Sequence, residues 1–254
     1  MFALLLACAT SADTADTADT ADTAADTADT ADTAADTGDD FDPPAVELVT
    51  LTTADGVELV GDYYGHREGA EAVLLLHMIP PTYDRTSWPI SFIEALRDEG
   101  YAVLALDRRG AGDSAGVATE AYTGPNGRLD ADAAVELLSD RGATSLVLVA
   151  ASNGTTTALD YAVGGAGLPP RAMVWMSPGT YTENNTDLGA LDLDALLMMY
   201  PKNEAAWPEA ARSEFDPDGR WDSVEYSGTA HGTMLFDTDH DVSGDLGAWL
   251  GPAR

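Results

Sequence analysis

Positive charge and cysteine are what this chain has least of. Only 12 Lys and Arg stand against 44 Asp and Glu, a formal charge of -32, and Cys8 is the single thiol among 254 residues. A field of that sign repels nucleic acid, polyphosphate and anionic lipid surfaces, and no basic stripe with interleaved aromatic residues reverses it locally. One cysteine excludes an intramolecular disulfide framework and a Cys-rich zinc site. The four histidines are scattered, without His-Glu-x-x-His or paired-His spacing, so no metal is expected. Gly110-Ala111-Gly112 follows an apolar run but lacks the third glycine and the helix start of a dinucleotide loop. It reads as a turn, and no cofactor is expected.

What is present divides into three stretches. Residues 1–8 form a short apolar run, below the roughly 20 residues that span a bilayer, and read as the remnant of a signal peptide. Leu5-Leu6-Ala7-Cys8 resembles the lipobox of bacterial lipoproteins, although no Lys or Arg precedes the run. That resemblance implies lipid attachment at Cys8, association with a membrane through the lipid, and a place in the bacterial cell envelope or outside the cell. Residues 9–42 contain eight Ala-Asp-Thr triplets between Ala12 and Thr37, with extra alanines at Ala24 and Ala34. Between Ala12 and Thr37 there is no large apolar side chain to offset the entropy of ordering. A disordered, acidic, self-repelling tether is expected. The first 42 residues hold 11 acids and no base, which leaves 33 acids and 12 bases, or -21, on residues 43–254.

After Pro43-Pro44 the pattern changes to short apolar runs. Val46 to Thr53 and Val57 to Tyr64, joined at Asp55-Gly56, predict an antiparallel hairpin. Ala72 to Leu76, Tyr101 to Leu106, Ser145 to Ala150, Arg171 to Met176, Ala195 to Tyr200 and Trp221 to Tyr226 read as buried strands. Helices are expected at Ser87 to Arg97, Leu129 to Ser139, Thr155 to Val163, Glu204 to Ser213 and Asp241 to Leu250. Continuous apolar strands alternating with helices imply an α/β fold, a mostly parallel eight-stranded sheet covered on both faces. Such sheets bind ligands beyond the carboxyl ends of the strands.

One strand end carries a distinctive turn. Leu146 to Ala151 runs into Ser152-Asn153-Gly154 and then a helical stretch, so Ser152 is either a helix N-cap or an exposed nucleophile. The segment resembles the Gly-x-Ser-x-Gly nucleophile elbow of α/β-hydrolases, with Ala150 in place of the first glycine. Leu74-Leu75-Leu76-His77-Met78 looks like the stretch that introduces that family's oxyanion loop, and Asp107-Arg108-Arg109-Gly110-Ala111-Gly112-Asp113-Ser114 like its Asp-x-Arg-Gly-x-Gly-x-Ser turn. Ala230-His231-Gly232 follows the last strand, where the family places its histidine. Over residues 46 to 251 the chain resembles the α/β-hydrolases, closest to small dienelactone-hydrolase-like and esterase-like members without a cap. Residues 178–194 leave too little length for a large cap domain.

The resemblance implies roles. Ser152 would be the nucleophile and His231 its general base, with Glu204 as the orienting acid and Asp187 or Glu183 as alternatives. A helix-dipole role for Glu204 competes with that assignment. The N–H groups of Met78 and Asn153 would form the oxyanion hole, with the Met78 side chain narrowing the pocket. Tyr181 and Trp207, with Met198, Met199 and Met234, are candidates to line the substrate site, although Met at strand positions is more often core than pocket. His77 is expected to be structural and His240 a solvated helix cap, while His66 falls in an early turn. The implied function is a serine hydrolase acting on small carboxylic esters or lactones through an acyl-enzyme. Peptidase or amidase activity is the nearest variant. The departures at Ala150, Met78 and Glu204 leave a catalytically inactive surface lipoprotein with a binding role as the other reading.

Overall fold

A computed structural model describes residues 46–65, 69–179, 188–189, 191, 193, 195–216 and 218–253. Two units separate by contacts, residues 1–40 and 41–254. The first lies outside the described residues, and so do the readings of Cys8 and the tether, together with His66, Tyr181, Glu183 and Asp187.

Eight strands form one sheet: β1 (Glu47–Thr52), β2 (Glu58–Tyr64), β3 (Ala72–Leu76), β4 (Ala102–Leu106), β5 (Leu146–Ala151), β6 (Pro170–Met176), β7 (Ala195–Pro201) and β8 (Trp221–Tyr226). Their order is 1-2-4-3-5-6-7-8. β2 pairs antiparallel with β1 and β4, and every other pairing is parallel, as the alternation of strands and helices predicted. The hairpin turns at Gly56, whose φ of 83° suits a residue without Cβ. β3, β4 and β5 are buried at every position, which is why they read as unbroken apolar runs. β8, at the edge, is buried only at its two ends, Trp221 and Tyr226.

Side-chain alternation in the strands sends two sets of residues to opposite faces. Leu74, Leu76, Leu148, Trp175 and Met198 pack with α2 (Asn126–Asp140), α3 (Gly154–Gly164) and α4 (Ala206–Phe215). Val73, Leu75, Val149, Val174 and Met199 pack with α1 (Ile90–Asp98) and α5 (Val242–Leu250). On α1 the buried set Phe92, Ile93 and Leu96 is one helical stripe, each side chain worth about 1.5–3 kcal/mol on burial.

Helix starts differ from the sequence expectation where local chemistry intervenes. Proline at Pro89, which has no N–H and disfavours helical geometry at Trp88, separates a 3-10 turn at Arg85–Ser87 from α1. Lys202–Glu204 forms a separate 3-10 turn ahead of α4, so Glu204 precedes that helix instead of sitting in its first turn. The cap of α5 is Asp241, whose carboxylate accepts from Gly244 N–H at 3.0 Å. His240 is therefore not the cap expected of it. Its ring lies 5.0 Å from that of Tyr226, with Nε2 3.0 Å from the Ser227 carbonyl.

From β3 the chain crosses through α1 to β4 on one side, and from β4 through α2 to β5 on the other. The carboxyl ends of β3 and β5 consequently border a switch point, where open sheets leave a crevice. The turn after β4 closes beside it. Asp107 accepts from the Arg85 and Asp113 backbone N–H groups at 2.7 and 2.9 Å and from the Arg85 guanidinium. Arg109 bonds Asp130 Oδ1 at 2.8 Å and grips Asp55 of the hairpin at 2.9 and 3.2 Å. Gly112 (φ 50°) admits no side chain, because a Cβ would fall 2.0 Å from Asp107 Oδ2.

Candidate active site

Ser152 leaves β5 with φ of 49°, a left-handed conformation that is uncommon and costly for a residue with a side chain. Hydrogen bonds on both sides hold it there. Its N–H donates to the Met176 carbonyl at 2.7 Å, and its carbonyl accepts from Thr155 N–H at 2.9 Å and Thr155 Oγ1 at 2.7 Å. The N-cap reading of this serine is not met: Asn153 occupies the cap position of α3, without a side-chain cap bond. Gly154 is required by crowding, since a Cβ would meet the Leu76 and His77 carbonyl oxygens at 2.4 and 2.6 Å. Small residues at the elbow thus bring α3 against the end of β3.

Three elements converge on one hydrogen-bonded chain. Ser152 Oγ lies 2.6 Å from His231 Nε2, and His231 Nδ1 lies 2.8 Å from Glu204 Oε1. His231 follows β8, and Glu204 ends the 3-10 turn after β7. A carboxylate only accepts, so Nδ1 carries the proton and Nε2 of the neutral ring accepts from the serine hydroxyl. An imidazole held in this tautomer can take the hydroxyl proton as the oxygen attacks a carbonyl. Gly232, next to His231, has φ of 58°, and a Cβ there would sit 2.3 Å from Met78 Sδ.

Asn153 directly follows Ser152 and Met78 follows the end of β3, and among the described residues neither backbone N–H donates a hydrogen bond to the protein. The Met78 side chain does not wall the pocket as expected. It is 1% exposed, packed in the core cluster beside α1 and against Gly232, because its sulfur fills the space that glycine leaves. His77 is fully buried. Burial, reinforced by the neighbouring Arg108 charge, pushes its pKa down to about 3, so the ring is neutral. Arg108 N–H bonds its Nε2 at 3.0 Å, leaving Nδ1–H to donate to the Met78 carbonyl at 2.7 Å. The structural role expected of His77 is this clamp on the loop after β3.

The remaining candidates divide. Met198 and Met199 are 0% exposed in β7 and belong to the two core clusters, not to a pocket, because a strand buried on both faces has no open side. Trp207 is partly buried, with its ring 6.5 Å from that of Trp175. Met234 is half-exposed with its sulfur 4.0 Å from the Tyr83 hydroxyl. Among the described residues no group of three or more His, Cys, Asp or Glu is placed to hold a metal ion, and no helix is long and apolar enough to cross a membrane.

Two residues near the site escaped the sequence reading. Ser177, at the carboxyl end of β6, has φ of 52°, and its hydroxyl accepts from Gly232 N–H at 2.9 Å, which anchors the loop that carries His231. A polar residue followed by Pro178-Gly179 after an apolar strand was the available signal. Arg108 is the other: its side chain is wholly buried, although it falls on the unspecified position of the Asp-x-Arg-Gly turn, between the matching Asp107 and Arg109.

A family profile described as serine aminopeptidase, S33, matches residues 71–213. The chain belongs to the S33 serine aminopeptidase family. No curated protein matches the sequence. Among solved structures, this S33-family chain resembles an esterase of Pyrococcus furiosus at TM-score 0.64 and 19% identity, covering 81% of this chain and 92% of that one. An esterase of a Rhodococcus species matches at TM-score 0.60 and 15% identity, over 80% and 98% of the two chains. A third, the esterase of Exiguobacterium antarcticum, matches at TM-score 0.62 and 14% identity, over 80% and 98%. These likenesses establish the α/β-hydrolase fold of the S33-family chain.

Proposed function

We propose that this S33-family chain is a serine hydrolase that cleaves small carboxylic esters or lactones through an acyl-enzyme. The observation that carries this reading is the continuous Ser152–His231–Glu204 hydrogen-bonded chain, assembled from three separate strand ends. Ser152 Oγ attacks the substrate carbonyl while His231 Nε2 takes its proton, and Glu204 steadies the resulting imidazolium. The Met78 and Asn153 N–H groups receive the oxyanion, each such donor being worth about 3–4 kcal/mol in the transition state. His231 then protonates the leaving alkoxide. Water attacks the acyl-enzyme with the same histidine as base, releasing the acid and restoring Ser152. The short connection of residues 178–194 between β6 and β7 supports an uncapped site and hence small substrates.

The S33 family description favours a second reading, cleavage of an amide bond at a peptide N-terminus by the same groups. Turnover of p-nitrophenyl acetate set beside an amino-acid p-nitroanilide separates the two. The ester reading expects kcat/KM to favour the acetate, with Ser152→Ala abolishing turnover; retained turnover in that variant would remove Ser152 from the chemistry.

Lipid attachment at Cys8 is proposed on its lipobox-like setting. Detergent-phase partitioning of the full chain from bacterial cells, lost in Cys8→Ser, is the expected result, and equal partitioning of both would contradict it.

A further inference from the structure

In an acid-rich chain with 12 bases, one guanidinium is buried beneath the strand ends without a carboxylate partner. Arg108 is 0% exposed, and among the described residues it forms no ion pair. Its partners are neutral acceptors. Nη1 donates to the His77 carbonyl at 3.2 Å, the Met78 carbonyl at 3.4 Å and Asn153 Oδ1 at 3.0 Å. Nη2 donates to the Ala121 carbonyl at 2.6 Å and Thr157 Oγ1 at 2.8 Å. Its backbone N–H holds His77 Nε2 at 3.0 Å.

The His77 carbonyl and the Met78 N–H belong to one peptide unit. A planar trans peptide points these groups in opposite directions, so a donor fixed on the oxygen fixes the direction of the N–H. A charged donor on that oxygen also polarises the unit, because hydrogen bonds in series strengthen one another. The same nitrogen, Nη1, reaches the side chain of Asn153, the residue after Ser152. One guanidinium therefore ties together both residues whose amides the hydrolase reading assigns to the oxyanion. Burial lowers the Arg108 pKa to about 10, with Asp130 and Asp160 opposing the shift, so the group keeps its charge at neutral pH.

We propose that Arg108 is a positioning residue for the oxyanion hole, its guanidinium orienting and polarising the His77–Met78 peptide and tying Asn153 to it. The assignment rests on the proposed hydrolase reading, in which the Met78 and Asn153 amides receive the oxyanion. Arg108 touches no substrate in this scheme. It acts through the peptide it holds.

The test uses Arg108→Lys and Arg108→Gln in the full chain, with p-nitrophenyl acetate as substrate and phenylboronic acid as an inhibitor whose tetrahedral serine adduct places an oxygen in the hole. Neither replacement can span the five acceptors that the fork reaches. Expected are folded variants, a fall in kcat of about tenfold to a hundredfold, less than or near the loss on deleting an oxyanion donor, KM little changed, and boronate inhibition weakened in step with kcat. A lowered melting temperature with kcat and boronate inhibition intact would make Arg108 a structural prop and overturn the proposal. Failure of both variants to fold would do the same. If the unaltered protein neither turns over the ester nor reacts at Ser152 with a fluorophosphonate, the hydrolase reading fails first and takes this one with it; a reactive, active wild type with unimpaired variants sinks only the role of Arg108.

Discussion

Replacing Ser177 by alanine removes one oxygen from the structure, and two effects follow from its geometry. The Gly232 N–H loses its acceptor at 2.9 Å in buried surroundings, which costs about 1–3 kcal/mol because the amide has no water to turn to. The φ of 52° remains, and alanine bears that strain as serine does. Ser177→Gly loses the same hydrogen bond but relieves about 1 kcal/mol of left-handed strain. The expected order of stability is therefore wild type, then Ser177→Gly, then Ser177→Ala, with roughly 2–4 °C of melting temperature for each kcal/mol in a domain of this size. Because Gly232 adjoins His231, both variants should also lose kcat on a small ester while KM changes little. Thermal unfolding by circular dichroism and steady-state kinetics read the two effects separately. Ser177→Ala as stable and as active as wild type would show that the Gly232 hydrogen bond anchors nothing, and alanine more stable than glycine would show that position 177 carries no left-handed strain.

Other consequences of the geometry are open to direct measurement. Gly154→Ala places a methyl against the Leu76 and His77 carbonyl oxygens, so a loss of about 1–3 kcal/mol in urea unfolding is expected, with activity lost as α3 is pushed from β3; unchanged stability would contradict the close approach. Glu204→Gln keeps the shape but not the charge beside His231, and kcat should drop about a hundredfold or more, with Glu204→Asp intermediate; full activity in the Gln variant would remove Glu204 from the mechanism. His77 titrates near 6.5 when unfolded and near 3 when folded, so the unfolded chain binds the extra proton and stability falls as pH drops below about 6.5. That loss amounts to about 2 kcal/mol at pH 5, and a His77→Gln variant should show a shallower decline between pH 6.5 and 5; an identical slope would show that His77 is not the group responsible.

The order of strands and helices was legible because buried parallel strands must be apolar throughout, as β3, β4 and β5 are, and because surface helices such as α1 carry a single apolar stripe. Ser152, His231 and Glu204 were legible through their places after β5, β8 and β7, and these three the fold does bring into contact. Met198 and Met199 took the core alternative open to strand methionines, since apolar residues near a strand end look alike whether they face a pocket or a second core layer. Helix starts near Pro89 and Glu204 shifted because 3-10 turns obey local hydrogen-bond chemistry that hydrophobic periodicity does not register. Ser177 and Arg108 were missed for a different reason. Each acts on a backbone group far away in sequence, Gly232 and the His77–Met78 peptide, and no local pattern announces a partner 55 or 31 residues distant.

Reaction with a fluorophosphonate followed by peptide mass spectrometry asks whether Ser152 is a nucleophile activated by His231. One adduct per chain is expected, on Ser152, with ester hydrolysis lost in proportion to labelling and no adduct in Ser152→Ala. A folded protein that hydrolyses the ester while Ser152 stays unmodified, or that takes the label on another residue, would contradict it.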